Sequence, residues 1–549
     1  MAKSNILIYI LRHDLRLSDN PIFHRLATQG DHGFTHLLPV YVFPAQQIEV
    51  SGFLKAGSTS PYPEARSAVS KVWRTGPHRA KFITQSVWDL KQSLESVGSG
   101  LVIRVGLVAD VVKGLLDGFR DREDSVGAVW MTGEEGVEER RDQRAVSAVC
   151  KELGTDFKLW SDEKYYVDES VIYEDGTDPD YKDANGFGNG ENDGTSAVRF
   201  ELLWRDYMRL CTMKFGARLF RIEGFRDHDY DGEGEASAKR PKWKSSVKED
   251  ALPDQEPSPD EVAEIIQRFN TGTTGMGLID ASQRELLHTG YTSNRARQNV
   301  ASFLTKHLGI DWRFGAEWYE MMLVDYDVSS NWANWQYVAG VGNDPRGEAR
   351  IFNPVKQAFD YDKEGAYVKT WVQEVKALEK LENVFQVSTT SAEELEKAGL
   401  TGNIMVTDPV KRIEFLVDGK PKNNKRPFHR ARGSRRPPSA GGFDSNGRPL
   451  NQSNGATGPG SSDGSTGLRG SPHRGPRGGG YNNGGPRRGF YGGRGRGQYA
   501  GPNYAAGYFG GPPVNGQMGN FGRGAYHNMA ARGGFQGGYP APYPTGPPS

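Results

Sequence analysis

Two carboxylates near the middle of the chain are the first candidates for chemistry. Asp325 and Asp327 are predicted to lie at the end of an otherwise apolar helix, in LVDYDVSSNWANWQY, residues 323–337. A buried carboxylate needs a partner, and Arg297, on the preceding helical segment, is the best placed cation. A lone buried Asp–Arg pair is usually structural. Two aspartates together with Asn331 and two tryptophans in one short stretch favour a binding pocket.

A second group of polar residues falls on one face of a predicted helix. In FELLWRDYMR, Glu201, Trp204, Arg205 and Met208 recur at intervals of three and four residues. A carboxylate, an indole and a guanidinium make a poor core, but they suit a pocket that stacks on a planar polar ligand and hydrogen-bonds it. The alternative is a partly exposed amphipathic helix stabilised by a Glu–Arg pair.

A third group, RHDLRLSDNP at residues 12–21, directly follows the first predicted strand. Open α/β sheets place their binding sites at the carboxyl ends of the strands, so this loop is a candidate for a ligand site. The alternative is a polar loop that caps the next helix.

Apolar runs predict the elements that would position these groups. Short continuous apolar runs are typical of strands buried on both faces, and helical patterns lie between them here. The predicted strands are residues 5–11, His36–Phe43, Gly100–Val105 and Val126–Met131, and the predicted helices include Phe82–Val97 and Val108–Phe119. This alternation indicates an α/β domain with a doubly wound parallel sheet over residues 1–167. No Gly-x-Gly-x-x-Gly follows the first strand, so the usual dinucleotide fingerprint is absent.

The rest of the chain divides by composition into three regions. Residues 168–195 are acidic and rich in Gly and Asn, as expected for a linker. Residues 196–420 show apolar residues at helical spacing and many tryptophans, which predicts an all-α domain. Residues 421–549 contain too few aliphatic side chains to offset the entropy of folding, so we expect a disordered tail.

Bulk composition narrows the class of protein. The net charge of zero is a cancellation, because residues 421–549 contain many arginines and only two acidic residues, Asp444 and Asp463. Two cysteines predict neither a disulfide framework nor a zinc site. The sequence shows no secretory signal and no apolar run near the ~20 residues of a membrane span, so we expect a soluble intracellular monomer. Composition does not distinguish nucleus, cytoplasm and mitochondrion.

Together these strings resemble the photolyase/cryptochrome family. The stretch after strand one is similar to its R-x-D-L-R-x-x-D-N motif, and residues 200–209, 274–337 and 350–354 resemble the flavin-binding half of its DASH branch. The resemblance covers residues 4–167 and 196–375. It implies an α/β antenna domain, a helical domain that binds FAD, and either a deoxyribodipyrimidine photolyase or a blue-light photoreceptor.

The resemblance assigns six residues to the isoalloxazine ring of FAD, and their chemistry fits. They are Arg205, Asn294, Arg297, Asp325, Asp327 and Asn331. The Asp327 carboxylate can accept a hydrogen bond from the ring imide, and Arg297 places positive charge near the ring. Asn331 matches the position that faces flavin N5, and its amide has no labile proton to give.

By the same resemblance, Trp335, Trp312 and Trp243 match the tryptophan relay that photoreduces the flavin. Core packing is the ordinary role of a tryptophan and remains the alternative for each of them.

The resemblance also implies a cavity for DNA damage. Glu201, Trp204 and Tyr337 match the residues that receive a flipped-out cyclobutane pyrimidine dimer, and Tyr337 fits the branch that acts on single-stranded DNA. Arg295 and Arg350 match positions that hold the phosphates beside the lesion.

An acidic turn after the fourth predicted strand resembles the site of a folate antenna. In Thr132-Gly133-Glu134-Glu135, the carboxylates of Glu134 and Glu135 suit the N–H donors of the pterin of methenyltetrahydrofolate. A helix N-cap followed by acidic residues in the first turn explains the same string equally well.

The chain departs from the family between the two domains. The family's interdomain crossover, the first helices of its α domain and a Thr-Ser-Lys-Phe-Ser-like string that binds the FAD diphosphate have no counterpart near residues 168–196. Either this is a splice form or faulty gene model, or it is a truncated protein with weakened flavin binding.

The tail carries RGG units at residues 477–479 and 532–534 with interleaved Tyr and Phe. Such segments bind single-stranded nucleic acid, usually RNA, by phosphate attraction and base stacking. The alternative is a solvated tether. Three functions therefore stay open: a repair enzyme, a blue-light receptor, and a flavin-poor protein that binds RNA.

Overall fold

A parallel β-sheet forms the core of the first part of the chain in this computed structural model. The structure describes residues 4–120 except 51 and 53, 125–161, 193–225, 243–343 and 351–414. Five strands pair in parallel in the order β3-β2-β1-β4-β5. They are β1 (Asn5–Leu11), β2 (His36–Pro44), β3 (Val102–Gly106), β4 (Ser125–Thr132) and β5 (Asp156–Trp160). The predicted doubly wound parallel sheet is confirmed.

Four helices cover the two faces of this sheet. They are α1 (Pro21–Thr28), α2 (Pro77–Ser96), α3 (Val108–Arg120) and α4 (Val137–Glu152). The apolar run of β1 predicted a strand buried on both faces, and Leu7 to Leu11 are almost completely buried. The start of α2 is earlier than predicted because Pro77 occupies the first helical position, which suits its fixed φ. The short edge strand β5 was not predicted, because it is only partly apolar and its residues are exposed or half-buried.

The second part of the chain is helical throughout its described residues, apart from isolated β-bridges. Its α-helices are α5 (Asp193–Phe215), α6 (Pro259–Thr271), α7 (Gly277–Thr289), α8 (Asn294–Ser302), α9 (Trp312–Met322), α10 (Val328–Ala339), α11 (Pro354–Tyr361), α12 (Ala366–Trp371), α13 (Leu381–Phe385), α14 (Ala392–Lys397) and α15 (Ile404–Thr407). Side-chain caps begin several of them, including Ser293 before α8 and Asp311 before α9. None of the helices within these ranges is long and apolar enough to cross a membrane.

The two parts belong to one compact unit, Met1–Gln452. The predicted linker at 168–195 lies outside the described residues except for the first turn of α5, and the tail at 421–549 lies wholly outside them.

The α/β part and the helical part are joined through two buried glutamates on α9. Glu317 accepts hydrogen bonds from the backbone amides of Val69 and Ser70 at 2.9 and 2.6 Å. Glu320 pairs with Arg74 at 2.9 Å, and Arg74 also pairs with Glu138 on α4 at 2.9 Å. Both α9 carboxylates are nearly inaccessible to solvent, so they depend on partners within the protein, and the α/β part supplies several of them.

We predict that Glu317→Ala lowers the free energy of unfolding by about 2–3 kcal/mol, because it leaves the buried amides of Val69 and Ser70 without an acceptor. Urea denaturation followed by tryptophan fluorescence measures the change. Glu396→Ala, on the exposed face of α14, is the matched control and is expected to change the free energy by less than about 0.5 kcal/mol. Equal shifts in the two variants would contradict the interdomain role.

Candidate functional site

The two aspartates of the first candidate group lie in the turn between α9 and α10. We expected them at the end of an apolar helix, but α9 ends at Met322. Asp327 is the N-cap of α10, where it accepts a hydrogen bond from the amide of Ser330 at 2.7 Å. This cap explains why a new helix begins after the turn.

Arg297 is the partner of Asp325, as the sequence predicted. Its Nη2 atom lies 2.8 and 3.0 Å from the two carboxylate oxygens. The Arg297 Nε donates to the carbonyl of Thr292, which fixes the guanidinium at the start of α8. The pair is only partly buried, with the Asp325 side chain 47% exposed, so a ligand can reach it.

Asn331 and Trp335 lie one turn apart on α10, on the face that packs against α9. The Asn331 Nδ2 donates to the carbonyl of Ala316 at 2.9 Å. The ring of Trp335 fills the space left by Gly315, where a methyl group would overlap with the indole. Glycine at this position therefore decides where the indole lies.

The three predicted relay tryptophans are all buried in the helical part. Trp312 donates its Nε1 hydrogen to the carbonyl of Ile222 at 3.1 Å. The segment that follows Trp243 pairs with the chain just before Trp312, since the Lys244 amide donates to Gly309 at 2.9 Å. This pairing brings Trp243 into the neighbourhood of Trp312.

The predicted lesion residues lie on α5 and α10, which pack against each other. The rings of Trp204 and Tyr337 meet edge to face at 5.0 Å. The Trp204 Nε1 donates to the Asn334 side chain at 3.0 Å, which holds the indole in place. Burial raises the pKa of Glu201, and the charge of nearby Arg295 opposes that rise. Glu201 and Arg295 are therefore close neighbours beside this aromatic pair.

The remaining predicted residues have more varied surroundings. Arg205 pairs with its neighbour Asp206 at 2.9 Å, and Asn294 is exposed in the first turn of α8. Arg295 packs over the Tyr361 ring at 4.8 Å. Arg350 lies outside the described residues.

Two buried polar atoms near this site have no hydrogen-bond partner among the described residues. They are the Tyr319 hydroxyl and the Nε of Arg295. The Tyr319 ring lies 5.3 Å from that of Trp335, and burial raises the pKa of its hydroxyl. Buried polar atoms without partners are costly, so their presence fits a polar ligand that completes the site. Tyr319 was not predicted, because a single tyrosine in an amphipathic helix has the pattern of a core residue.

A cavity of about 690 Å³ lies at the carboxyl ends of the strands, between the sheet and the helical part. The loop after β1 contributes Arg12 and His13, and α4 contributes Glu138 and Glu139 to its lining. Glu134, one of the two predicted folate ligands, accepts from Gln143 through its backbone carbonyl. Neither Glu134 nor its predicted companion Glu135 is among the cavity-lining residues.

Glu139 is the most buried carboxylate of this cavity. Burial raises its pKa, and the nearby charges of His13 and Arg12 lower it in part. Among the described residues, no group of His, Cys, Asp and Glu is arranged to hold a metal ion.

Comparison with known protein families identifies the class of protein that this fold and site define. Residues 7–180 match the DNA photolyase family, and residues 198–410 match the FAD binding domain of DNA photolyase.

The chain is 47% identical to a Neurospora crassa protein described as a mitochondrial cryptochrome DASH, over 81% of this chain and 80% of that protein. It is 30% identical to cryptochrome DASH of Xenopus laevis, over 68% of this chain and 84% of that protein. The chain belongs to the photolyase/cryptochrome family and to its DASH branch.

Solved structures agree with this membership. A cryptochrome of Synechocystis sp. is 25% identical, with a TM-score of 0.55 over 73% of this chain and 95% of that one. A bacterial class III photolyase of Agrobacterium tumefaciens shares the fold, at 21% identity and a TM-score of 0.54 over 75% of this chain and 95% of that one.

The alignment to the Neurospora protein shows residues that this chain lacks. It extends over 599 residues, whereas the whole chain has 549 and 81% of it takes part. The relative therefore contains residues without a counterpart here. The sequence predicts that these missing residues belong near residues 168–196 and include the segment that binds the FAD diphosphate.

We predict that Gly315→Ala displaces the Trp335 ring and lowers the free energy of unfolding by about 1–3 kcal/mol, because the added methyl group overlaps with the indole. Near-ultraviolet circular dichroism reports the ring, and urea denaturation reports the stability. Gly114→Ala on α3, where nothing lies within 4 Å, is the control and is expected to stabilise by about 0.5–1 kcal/mol. Two changes of the same sign would show that the Gly315–Trp335 contact is not required.

Proposed function

We propose that this protein is a blue-light-dependent flavoprotein that repairs cyclobutane pyrimidine dimers in single-stranded DNA. The proposal is supported by the positions of two groups of residues on the packed helices α5 and α10. Glu201, Trp204 and Tyr337 form one wall on α5 and α10, and Asn331 and Trp335 lie on another face of the same α10. A flavin beside α10 would therefore be next to a pyrimidine dimer held against α5.

The residues of the first candidate group would hold the isoalloxazine ring of FAD. Asp327 uses one carboxylate oxygen to cap α10, which leaves the other to accept from the ring imide. Arg297, held by Asp325 and Thr292, presents positive charge from a fixed direction. When bound, FAD supplies the light absorption and the electron, and these residues orient it.

The wall formed by Glu201, Trp204 and Tyr337 would recognise the lesion. A flipped dimer can pack against the edge-to-face pair of Trp204 and Tyr337, since aromatic rings suit pyrimidine faces. The raised pKa of Glu201 favours its protonated form, which can donate a hydrogen bond to a pyrimidine carbonyl. Arg295, close to Glu201, suits a flanking phosphate. Single-stranded DNA is the cheaper substrate because its damaged bases need not be unpaired.

The cavity at the sheet edge suits the folate antenna better than the turn at Glu134 and Glu135. Its volume accommodates a ligand of drug size. Glu138 and Glu139 would accept hydrogen bonds from the N–H donors of the pterin, which is the role that the sequence suggested for Glu134 and Glu135. The antenna of this proposal is methenyltetrahydrofolate.

We predict that repair becomes slower as the pH rises through the raised pKa of Glu201. A carboxyl with a raised pKa stays protonated to a higher pH, and its hydrogen bond to the dimer is lost once the proton leaves. Repair of a dimer in a single-stranded oligonucleotide under blue light, measured across the pH range, tests this. Glu201→Gln, which always carries a donor, is expected to flatten the profile.

Glu396→Gln serves as the control for that experiment and is expected to keep the parent profile. If Glu201→Gln and the parent have the same pH profile, hydrogen-bond donation by protonated Glu201 is excluded. Complete absence of light-dependent repair in the parent would exclude the proposed enzyme.

A second candidate function is nucleic-acid binding by a flavin-poor protein, and the residues missing relative to the Neurospora protein favour it. We predict that removal of residues 421–549 weakens RNA binding at low salt and flattens its salt dependence. Each phosphate neutralised on a single strand contributes a log–log slope of roughly −0.7, and the arginines of the tail are the expected contacts. Titrations of full-length and shortened protein at two salt concentrations measure both effects. Unchanged RNA affinity would leave the tail as a tether.

A further inference from the structure

A fourth tryptophan, Trp332, connects the relay region with the junction between the two parts. It is 5% exposed, and its ring meets that of Trp312 edge to face at 5.7 Å. Its Nε1 donates to the Glu320 carboxylate at 3.0 Å and lies 3.3 Å from the Tyr326 hydroxyl. Trp332 therefore touches a predicted relay member on one side and a buried charge on the other.

The Glu320 carboxylate is held in place by an arginine. Its second oxygen pairs with Arg74 at 2.9 Å, and Arg74 is shared with Glu138. Arg79 lies over the Tyr326 ring at 4.3 Å and donates to the backbone carbonyl of Glu320 at 3.0 Å. The charge nearest to the Trp332 indole is thus the carboxylate that accepts its N–H. A negative charge in direct contact stabilises an oxidised, positively charged indole.

The aromatic side chains around Trp332 extend to a cavity that small molecules can enter. Tyr326 and Phe220 both line the cavity of about 690 Å³, and Phe220 packs edge to face on Trp332 at 4.8 Å. One layer of aromatic side chains separates Trp332 from the cavity. Burial of the Tyr326 hydroxyl raises its pKa, so Tyr326 keeps its proton.

We propose that Trp332, held by Glu320, is a second redox-active branch of the electron relay, separate from Trp243. This inference rests on the proposed function, because the relay operates only if Trp335 and Trp312 pass an electron to the flavin. An electron then moves from Trp332 to oxidised Trp312. The positive charge stays on Trp332 beside Glu320, with the N–H retained. A small thiolate in the cavity returns the electron, and the resulting thiyl radicals couple to a disulfide.

Flavin photoreduction by blue light with a small thiol tests the branch in folate-free protein loaded with FAD. The four proteins are the parent, Trp243→Phe, Trp332→Phe and the double variant. Each single variant is expected to keep part of the parent rate, whereas the double variant is expected to fall about tenfold or more below it. Equal rates in Trp243→Phe and the double variant would overturn the branch. A parent that binds FAD but is not photoreduced contradicts the proposed relay, and the second measurement then decides the branch alone.

The second measurement needs no flavin. Tris(bipyridine)ruthenium(III), a one-electron oxidant too large to enter the core, is applied to the full chain, and oxidised tryptophans are mapped by peptide mass spectrometry. We expect more product at Trp332 than at Trp312, although both are almost completely buried, and a several-fold loss of the Trp332 share in Glu320→Gln. Trp88→Phe, which removes an exposed indole on α2, is the control and is expected to leave that ratio unchanged. A Trp332 share that does not exceed that of Trp312, or that is insensitive to Glu320→Gln, would overturn the proposal.

Discussion

Two carboxylates on consecutive turns of α9 support the rest of this structure. Removing a carboxylate from water costs several kcal/mol unless charged or hydrogen-bonding partners replace the lost hydration. Glu317 finds those partners in the backbone amides of the α/β part, and Glu320 finds them in Arg74 and Trp332. Since the partners come from both parts of the chain, α9 can satisfy its charges in one arrangement only. The opposite side of α9 then becomes a fixed surface against which α10 packs.

The positions of the predicted flavin and lesion residues depend on that surface of α9. Gly315 and Ala316 of α9 determine the positions of Trp335 and Asn331 on α10. Further along α10, Asn334 holds Trp204 of α5. In the proposed function, the same helix would therefore carry the residues for the flavin on one side and those for the lesion on the other. This shared support would keep the cofactor and the damaged base at a constant separation.

Much of this arrangement could be predicted from the sequence, because local patterns encode it. Continuous apolar runs identified four of the five strands, and the polar residues and tryptophans clustered in residues 323–337 indicated a binding pocket, while their assignment to a flavin came from the resemblance to the family. The contacts of Glu317 and Glu320 with the α/β part could not be predicted, since those partners lie about 250 positions earlier in the chain. Trp332 was overlooked although Glu320 and Trp312 are close to it in sequence. Its sequence neighbours indicate a core residue, and only the fold brings Glu320 and Trp312 to its two sides.

We propose that this chain recognises the isoalloxazine ring through α8, α10 and the turn before α10. No Thr-Ser-Lys-Phe-Ser-like string for the FAD diphosphate occurs in the sequence. The most direct measurement is an equilibrium titration of the purified chain with riboflavin and with FAD, followed by flavin fluorescence. If these elements hold the ring, both ligands bind saturably with dissociation constants within about tenfold, which corresponds to about 1.4 kcal/mol. Saturable binding of FAD without any binding of riboflavin would contradict it, because recognition would then rest on the diphosphate or the adenosine.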